Sequence, residues 1–280
     1  MSTDQILASQ TFGDGTPVLV IHGWQMNGRA EALDLEPIFT SFSGYRRIYV
    51  DLPGMGSTPG DNIENQDDIF LRLVRFVDAT IATSRFLVIG SSLGAYLARA
   101  IGARYRQQVD GLLLRVPVIE PDNSKRNVDA FQPLVANAEL MAGLFPSRRK
   151  FLGEMIVQTP EYISASESRL VTVENPAVQE SDAALLDPIR CDPQRYSISS
   201  KLFDVSSEKH SAPTLILCGR QDDVVGYRDA LRLLELYPRS TFAVLDRATH
   251  ALPVDDKRNV YESLVSDWLD RVQEWQAHRT

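Results

Sequence analysis

Residues 86–100 read Phe-Leu-Val-Ile-Gly-Ser-Ser-Leu-Gly-Ala-Tyr-Leu-Ala-Arg-Ala: an apolar run, a Gly-x-Ser-x-Gly pentapeptide, then a helix start. A chain that passes this sharply from strand to helix brings its two arms almost into contact on either side of the central serine. Only residues without bulk fit there, and Gly90 and Gly94 occupy those two positions. The turn lifts the Ser92 side chain above the end of the strand, which makes Ser92 a candidate nucleophile. A glycine-rich strand-to-helix turn can also cradle a phosphate. The pentapeptide alone weighs these readings about equally, so the rest of the chain has to supply a base and an acid.

Five further apolar runs share the character of Phe86–Ile89: Val18–Ile21, Arg47–Val50, Leu112–Leu114, Thr214–Leu217 and Thr241–Leu245. They are continuous rather than alternating, as expected for a parallel sheet covered on both faces. Helical spacing fills the intervals at Asp67–Ala82, Gly226–Leu236 and Asp256–Trp275. The alternation implies an α/β fold with a mostly parallel, doubly wound sheet. It breaks between Val118 and Lys209, where prolines and aromatics replace strand signals and helical pieces fall near Ala130–Leu144 and Arg148–Val157. We therefore expect a core of residues 1–117 and 210–280. Residues 118–209 are expected to be a mainly helical cap inserted at the carboxyl edge of the sheet, where open α/β sheets bind ligands.

A net charge of −8 speaks against a nucleic-acid or anionic-membrane surface. The longest basic run, Arg148-Arg149-Lys150, reads as a solvated face. Two cysteines, Cys191 and Cys218, provide neither a disulfide framework nor zinc spacing, and Cys218 sits in an apolar run typical of a buried thiol. Met1–Gln5 lacks the basic start of a secretory signal, and no apolar run reaches membrane-spanning length. These features lead us to expect a cytoplasmic protein with no membrane insertion; its oligomeric state stays open, a homo-oligomer included.

A serine hydroxyl needs a base, and histidine is the usual one near neutral pH. Of four histidines, His278 lies at an end expected to be disordered, and His210 follows a charged loop that suggests the surface. His22 reads as a brace within its own loop. His250 follows the run Thr241–Leu245, so it reaches the carboxyl edge that Ser92 faces. The acid that orients it comes from Gly219-Arg220-Gln221-Asp222-Asp223, at the same edge, as Asp222 or Asp223, with Glu120 as runner-up. A developing oxyanion needs two backbone N–H donors. Leu93 supplies one, and Trp24 the other, from a loop that Gly23 allows to turn.

Taken together, these segments resemble the α/β-hydrolase superfamily over nearly the whole chain. His22-Gly23-Trp24 looks like its oxyanion loop, Asp51–Ser57 like the loop that commonly follows its fourth strand, and Gly90–Gly94 like its elbow. Gly219-Arg220-Gln221-Asp222 is similar to its Gly-x-x-Asp acid loop, which favours Asp222 over Asp223, and His250 is similar to its histidine. Thr249 departs from the glycine that often precedes that histidine, and the short stretch before Val18 leaves room for a single opening strand near Ile6–Thr11.

The resemblance implies acyl transfer through an acyl-enzyme on Ser92, with no metal or organic cofactor. The expected substrate is a small to medium, largely apolar ester, thioester or lactone. Phe131, Leu134, Leu140, Met141, Leu144, Phe145, Phe151, Met155 and Tyr162 could line its pocket, although most read better as the cap's own core. Epoxide hydrolases and haloalkane dehalogenases need aspartate at position 92. Ala251 stands where carbon–carbon bond hydrolases often have tryptophan, and the Gly-Gly-Ser-Trp-Gly elbow of proline iminopeptidases is absent. Carbon–carbon bond hydrolases, cofactor-free perhydrolases and a ligand-binding protein or receptor with little turnover remain the alternatives.

Overall fold

The computed structural model describes residues 6–205, 208–253 and 258–278. The reading of Met1–Gln5 and the expected helix start at Asp256 lie outside them. The first half alternates β1 (Ser9–Phe12), β2 (Thr16–Ile21), α1 (Gly28–Phe39), β3 (Tyr45–Val50), α2 (Gln66–Thr80), β4 (Phe86–Ser91), α3 (Leu93–Arg104) and β5 (Val109–Arg115). Six short helices follow: α4 (Ala138–Gly143), α5 (Pro146–Leu152), α6 (Pro160–Arg169), α7 (Asn175–Gln179), α8 (Ala183–Arg190) and α9 (Pro193–Tyr196). Then β6 (Thr214–Gly219), β7 (Ser240–Leu245) and α10 (Asn259–His278) close the fold.

The seven strands lie in the order β1-β3-β2-β4-β5-β6-β7. Only β1 is antiparallel, paired with β3 from Ser9↔Val50 to Phe12↔Arg47; the others are parallel. Residues 17–21 and all of β4, β5 and β6 are buried, which is why these strands read as unbroken apolar runs. Helix α2 begins with a capping box, Asn65 accepting from the Asp68 amide while the Asp68 carboxylate accepts from the Asn65 amide.

Four expectations about elements need correction. Gly226 sits at φ +68°, so the helix foreseen from there forms only as a 3₁₀ turn at Asp229–Glu235. Its buried residues, Ala230 and Leu233, have the i,i+3 spacing that such a turn superimposes. Within residues 118–209, α4 starts late, at the Asn137 cap, and α5 stops at Gly153, φ +64°, after which the chain is non-helical up to a bridge that pairs Val157 with Val135. Helix α10 continues to His278, expected to be disordered, whose Nδ1 donates to the Glu274 carbonyl at 2.8 Å.

Residues 118–209 pack in two parts. Leu152, Met155, Ile156, Val157, Tyr162 and Ile163 form a separate small core, with Phe131, Leu140, Met141 and Leu144 against it. Leu186, Ile189, Tyr196, Ile198 and Phe203 belong instead to the main core. Leu134, Phe145 and Phe151 are exposed. Between α6 and α7 lies a π turn, Leu170–Glu174, in which the Asn175 amide donates to Leu170 five residues back. Pro176 explains it: proline lacks an N–H, and its ring crowds the carbonyl four residues earlier, so the chain widens there instead of continuing as α-helix.

Candidate active site

Strand order reverses between β2 and β4, because the connection through α1 leads from β2 to one side and that through α2 returns across it. A crevice therefore opens beyond their carboxyl ends, where open α/β sheets bind ligands. Ser92 stands at the tip of β4 with φ 54° and ψ −115°, a strained conformation for a residue with a side chain. A Cβ on Gly90 would lie 2.2 Å from the Gly94 carbonyl oxygen, and one on Gly94 would lie 2.1 Å from that of Ile21. The β2 end, β4 and α3 thus touch backbone to backbone. The Ser92 side chain makes no cap bond to α3, so its hydroxyl is left to other partners.

The loop after β2 passes over this turn. A Cβ on Gly23 would meet the Ser92 Cβ at 3.3 Å. His22 is buried; its Nδ1–H donates to the Gly23 carbonyl at 2.6 Å and its Nε2 accepts from the Leu52 amide at 2.9 Å. Those two bonds specify one neutral tautomer, and burial holds the imidazole below its ordinary pKa against the pull of the Gly23 carbonyl and Asp51. His22 is therefore a brace, as its sequence context suggests. Among the described residues neither the Trp24 nor the Leu93 amide has a protein acceptor, and Leu93 opens α3, where unpaired N–H groups concentrate positive potential. The Trp24 indole packs edge-on against Tyr196, and its Nε1–H is also buried without a partner among the described residues.

The loops after β6 and β7 are laid on one another. Gly219 allows this, since a Cβ there would lie 2.5 and 2.6 Å from the Ala248 and Thr249 carbonyl oxygens. The Arg220 amide donates to Leu245, and the Gln221 amide to Ala248. His250 Nδ1–H donates to Asp222 Oδ2 at 2.9 Å, and the Ser92 hydroxyl donates to His250 Nε2, also at 2.9 Å. The other Asp222 oxygen accepts from the Val224 and Val225 amides at 2.9 and 3.0 Å. Burial pushes the Asp222 carboxyl up, but His250 and these amides outweigh it and hold it below the usual carboxylate range.

The structure thus brings Ser92, His250 and Asp222 together, with Trp24 lining the same cavity and Leu93 following Ser92 at the start of α3. Asp223 is exposed, and Glu120 accepts from the Asp122 amide in its own turn, so neither meets His250. His210, expected at the surface, is buried, with Nδ1 accepting from Ala212.

Two cavities meet at His250. One, about 370 Å³, contains Ser92 and the Gly23–Trp24 loop, and Arg115, Arg126, Arg169 and Arg190 border it. Arg115 is neutralised by Glu31 and Asp34, and Arg169 by Asp34 and Glu174. Arg126 donates only to the Glu120 and Val224 carbonyls and to Tyr196, and faces Arg190, which has no carboxylate partner among the described residues. Burial, and then the repulsion from Arg190, lower the Arg126 pKa. The second cavity, about 360 Å³, includes Phe131, Met155 and Tyr162. Arg169, Glu174, His250 and Ala251 line both. Of the nine apolar residues expected from the sequence, Phe131, Met155 and Tyr162 line one arm of the site, while Leu140, Met141 and Leu144 pack in the small core and Leu134, Phe145 and Phe151 are exposed. The arm beside Ser92 carries Arg126 and Arg190, which were missed because each alone reads as a surface residue.

Residues 18–262 match the model of the Alpha/beta hydrolase family. A 2-hydroxy-6-oxo-2,4-heptadienoate hydrolase of Pseudomonas putida F1 is 26% identical over 265 residues, covering 92% of this chain and 90% of that one. A pimeloyl-[acyl-carrier protein] methyl ester esterase of Shewanella woodyi is 24% identical over 271 residues, covering 94% and 97%. An alpha/beta superfamily hydrolase from Oenococcus oeni PSU-1 superimposes with a TM-score of 0.80 at 26% identity, over 96% of this chain and 97% of that one. Among the described residues no helix is long and apolar enough to cross a membrane.

Proposed function

Because the chain belongs to the alpha/beta hydrolase family, we propose that it is a serine hydrolase that cleaves a carboxylic ester through an acyl-enzyme on Ser92. The observation that carries this reading is the 2.9 Å contact from Ser92 Oγ to His250 Nε2, with Nδ1 on Asp222. His250 removes the Ser92 proton as Oγ attacks the ester carbonyl. The N–H groups of Trp24 and Leu93 hold the oxyanion, each donor contributing about 3 kcal/mol to the transition state. Collapse breaks the carbon–oxygen bond, His250–H⁺ protonates the leaving alcohol, and a water activated by His250 releases the acid and restores Ser92. Residues 118–209 act as the cap over this crevice.

The substrate combines an apolar arm, taken up beside Phe131, Met155 and Tyr162, with a carboxylate held by Arg126 and Arg190. Two guanidinium groups in one cavity that form no salt bridge to a carboxylate among the described residues suit a bidentate anion. The arginine pair also favours a second reading, hydrolysis of a carbon–carbon bond in an unsaturated oxo-acid, in keeping with the name of the Pseudomonas relative.

Purified protein assayed on p-nitrophenyl hexanoate and on the mono-p-nitrophenyl ester of adipic acid tests both parts. Turnover lost in Ser92→Ala, a fluorophosphonate adduct on Ser92, and a preference for the acidic ester that disappears in Arg126→Gln/Arg190→Gln are expected. Equal turnover in wild type and Ser92→Ala would refute the mechanism and leave a binding protein. Faster cleavage of 2-hydroxy-6-oxo-2,4-heptadienoate than of either ester would favour the second reading.

A further inference from the structure

The wall shared by the two cavities has an unusual construction. The π turn at Leu170–Glu174 brings Arg169 and Glu174 together, Arg169 Nε donating to Glu174 Oε1 at 3.3 Å. Both residues line both cavities beside His250, so a molecule with an arm in each cavity passes over this pair. The pair is also aimed from below. Asp34 of α1, 2% exposed, accepts from Arg169 Nη1 at 2.9 Å, from Nη2 at 3.1 Å, and from Arg115 Nη1 at 2.8 Å. Arg115 in turn donates through Nη2 to Glu31 at 2.7 Å and through Nε to Ser91 Oγ at 2.8 Å. One chain of bonds therefore runs from the residue next to Ser92 to the waist of the site.

The charges at the waist balance, unlike those at Arg126 and Arg190. Arg169 and Arg115 face Glu31, Asp34 and Glu174, and Arg258 lies 3.9 Å from Asp34. A balanced cluster has little pull on an anion. What it keeps is directional. Each Nη of Arg169 carries two hydrogens and commits one to Asp34, and the second carboxylate oxygen of Glu174 has no donor among the described residues. A donor and an acceptor side by side complement a hydroxyl, which both accepts and donates.

We infer that Arg169 and Glu174 are specificity-determining residues that select substrates bearing a hydroxyl on the acyl chain near the reacting carbonyl, and that Asp34 is a positioning residue that aims Arg169. The inference rests on the Ser92 chemistry proposed above. A site built to bond a hydroxyl rejects the analogue that lacks it, because its own polar groups are then left unpaired. Here the side chains keep some solvent, 17% exposure for Arg169 and 27% for Glu174, so the discrimination is modest, roughly tenfold for one hydrogen bond's worth of free energy.

The test compares p-nitrophenyl 3-hydroxybutyrate with p-nitrophenyl butyrate, each kcat/KM normalised to the ester's rate of alkaline hydrolysis. Wild type is expected to favour the hydroxy ester about tenfold. Glu174→Ala, at a half-buried position, and Arg169→Met each bring the ratio to about one. Asp34→Asn, checked for folding by its melting temperature, lowers the ratio as well, whereas a merely structural role for Asp34 would slow both esters in proportion. A wild-type ratio near one, or a ratio that persists in both Glu174→Ala and Arg169→Met, overturns the inference. The two readings fail separately: butyrate turnover that survives Ser92→Ala removes the proposed mechanism, whereas turnover that depends on Ser92 but shows no hydroxyl preference removes only this one.

Discussion

Replacing Asp222 with asparagine isolates the proton chemistry from the packing. The Asp222 side chain is fully buried and accepts three bonds, from His250 Nδ1–H and from the amides of Val224 and Val225. An asparagine of the same shape keeps its oxygen on the two amides and turns its –NH₂ toward His250. That group donates, so Nδ1 must become the acceptor and the ring proton moves to Nε2, where it points at Ser92 Oγ 2.9 Å away. The imidazole is then the wrong tautomer to take the serine proton. The expected fall in kcat is about 10⁴-fold, or roughly 5 kcal/mol of barrier. Two of the three bonds survive and the third is replaced, so stability changes by about 1 kcal/mol and the melting temperature by a few degrees. Turnover of p-nitrophenyl butyrate and the rate of fluorophosphonate labelling measure the first, and a thermal melt the second. Because Asp222 is held below the usual carboxylate range, it stays ionised above its ordinary value of about 3.9, and an assay down to pH 5 does not titrate it. A kcat for Asp222→Asn within tenfold of wild type would refute the reasoning, as would a comparable loss in Asp223→Asn or Glu120→Gln.

Two other perturbations follow from the same geometry. Gly94→Ala puts a methyl group 2.1 Å from the Ile21 carbonyl oxygen and 2.6 Å from that of His22; with backbone on the receiving side, it should cost about 3 kcal/mol or more and lower the melting temperature by roughly 5–10 °C, and an unchanged melt would contradict the close approach. Burial raises the folded-state pKa of Glu31 against the pull of Arg115. Its contribution to stability is therefore fully present below its unfolded value, about 4.3, and is lost as pH rises through the raised one. Glu31→Gln has no such loss, so thermal melts at pH 4 and pH 6.5 should show the variant improving relative to wild type at the higher pH; a constant difference would remove the argument.

The sheet and the elbow were legible because they rest on local rules. Strands buried on both faces must be continuously apolar, and two backbones in contact must carry glycine, so Val18–Ile21, Phe86–Ile89 and Gly90–Gly94 declare themselves within a few residues. The choice between Asp222 and Asp223 was not local, since adjacent carboxylates at one loop look alike until the Val224 and Val225 amides and His250 turn one of them inward. Helix α1 went unread for the opposite reason: its buried face carries Glu31 and Asp34, and two charges where the periodicity asks for apolar residues erase the pattern. The helices within residues 118–209 are short, and caps such as Asn137, Thr159 and Asp182 set their starts, which a search for long amphipathic repeats passes over.

The residues bordering the cavities show why recognition is harder to read than chemistry. A buried charge is tolerable only when its partners are in place, and here the partners are far away in the chain. Ser91 finds Glu31 across 60 positions, Arg115 finds Asp34 across 81 and Glu31 across 84, and Arg169 finds Asp34 across 135. Seen singly, Glu31, Asp34, Arg115 and Arg169 read as ordinary surface charges, so the expectation built on the apolar residues from Phe131 to Tyr162 makes the pocket apolar. The same separation gives the cluster its use. A network that spans α1, β4, β5 and α6 fixes Arg169 relative to the Ser92 turn, so on the proposed reading substitutions at the waist change which molecule is accepted while the backbone around Ser92 stays where Gly90, Gly94 and Gly219 hold it.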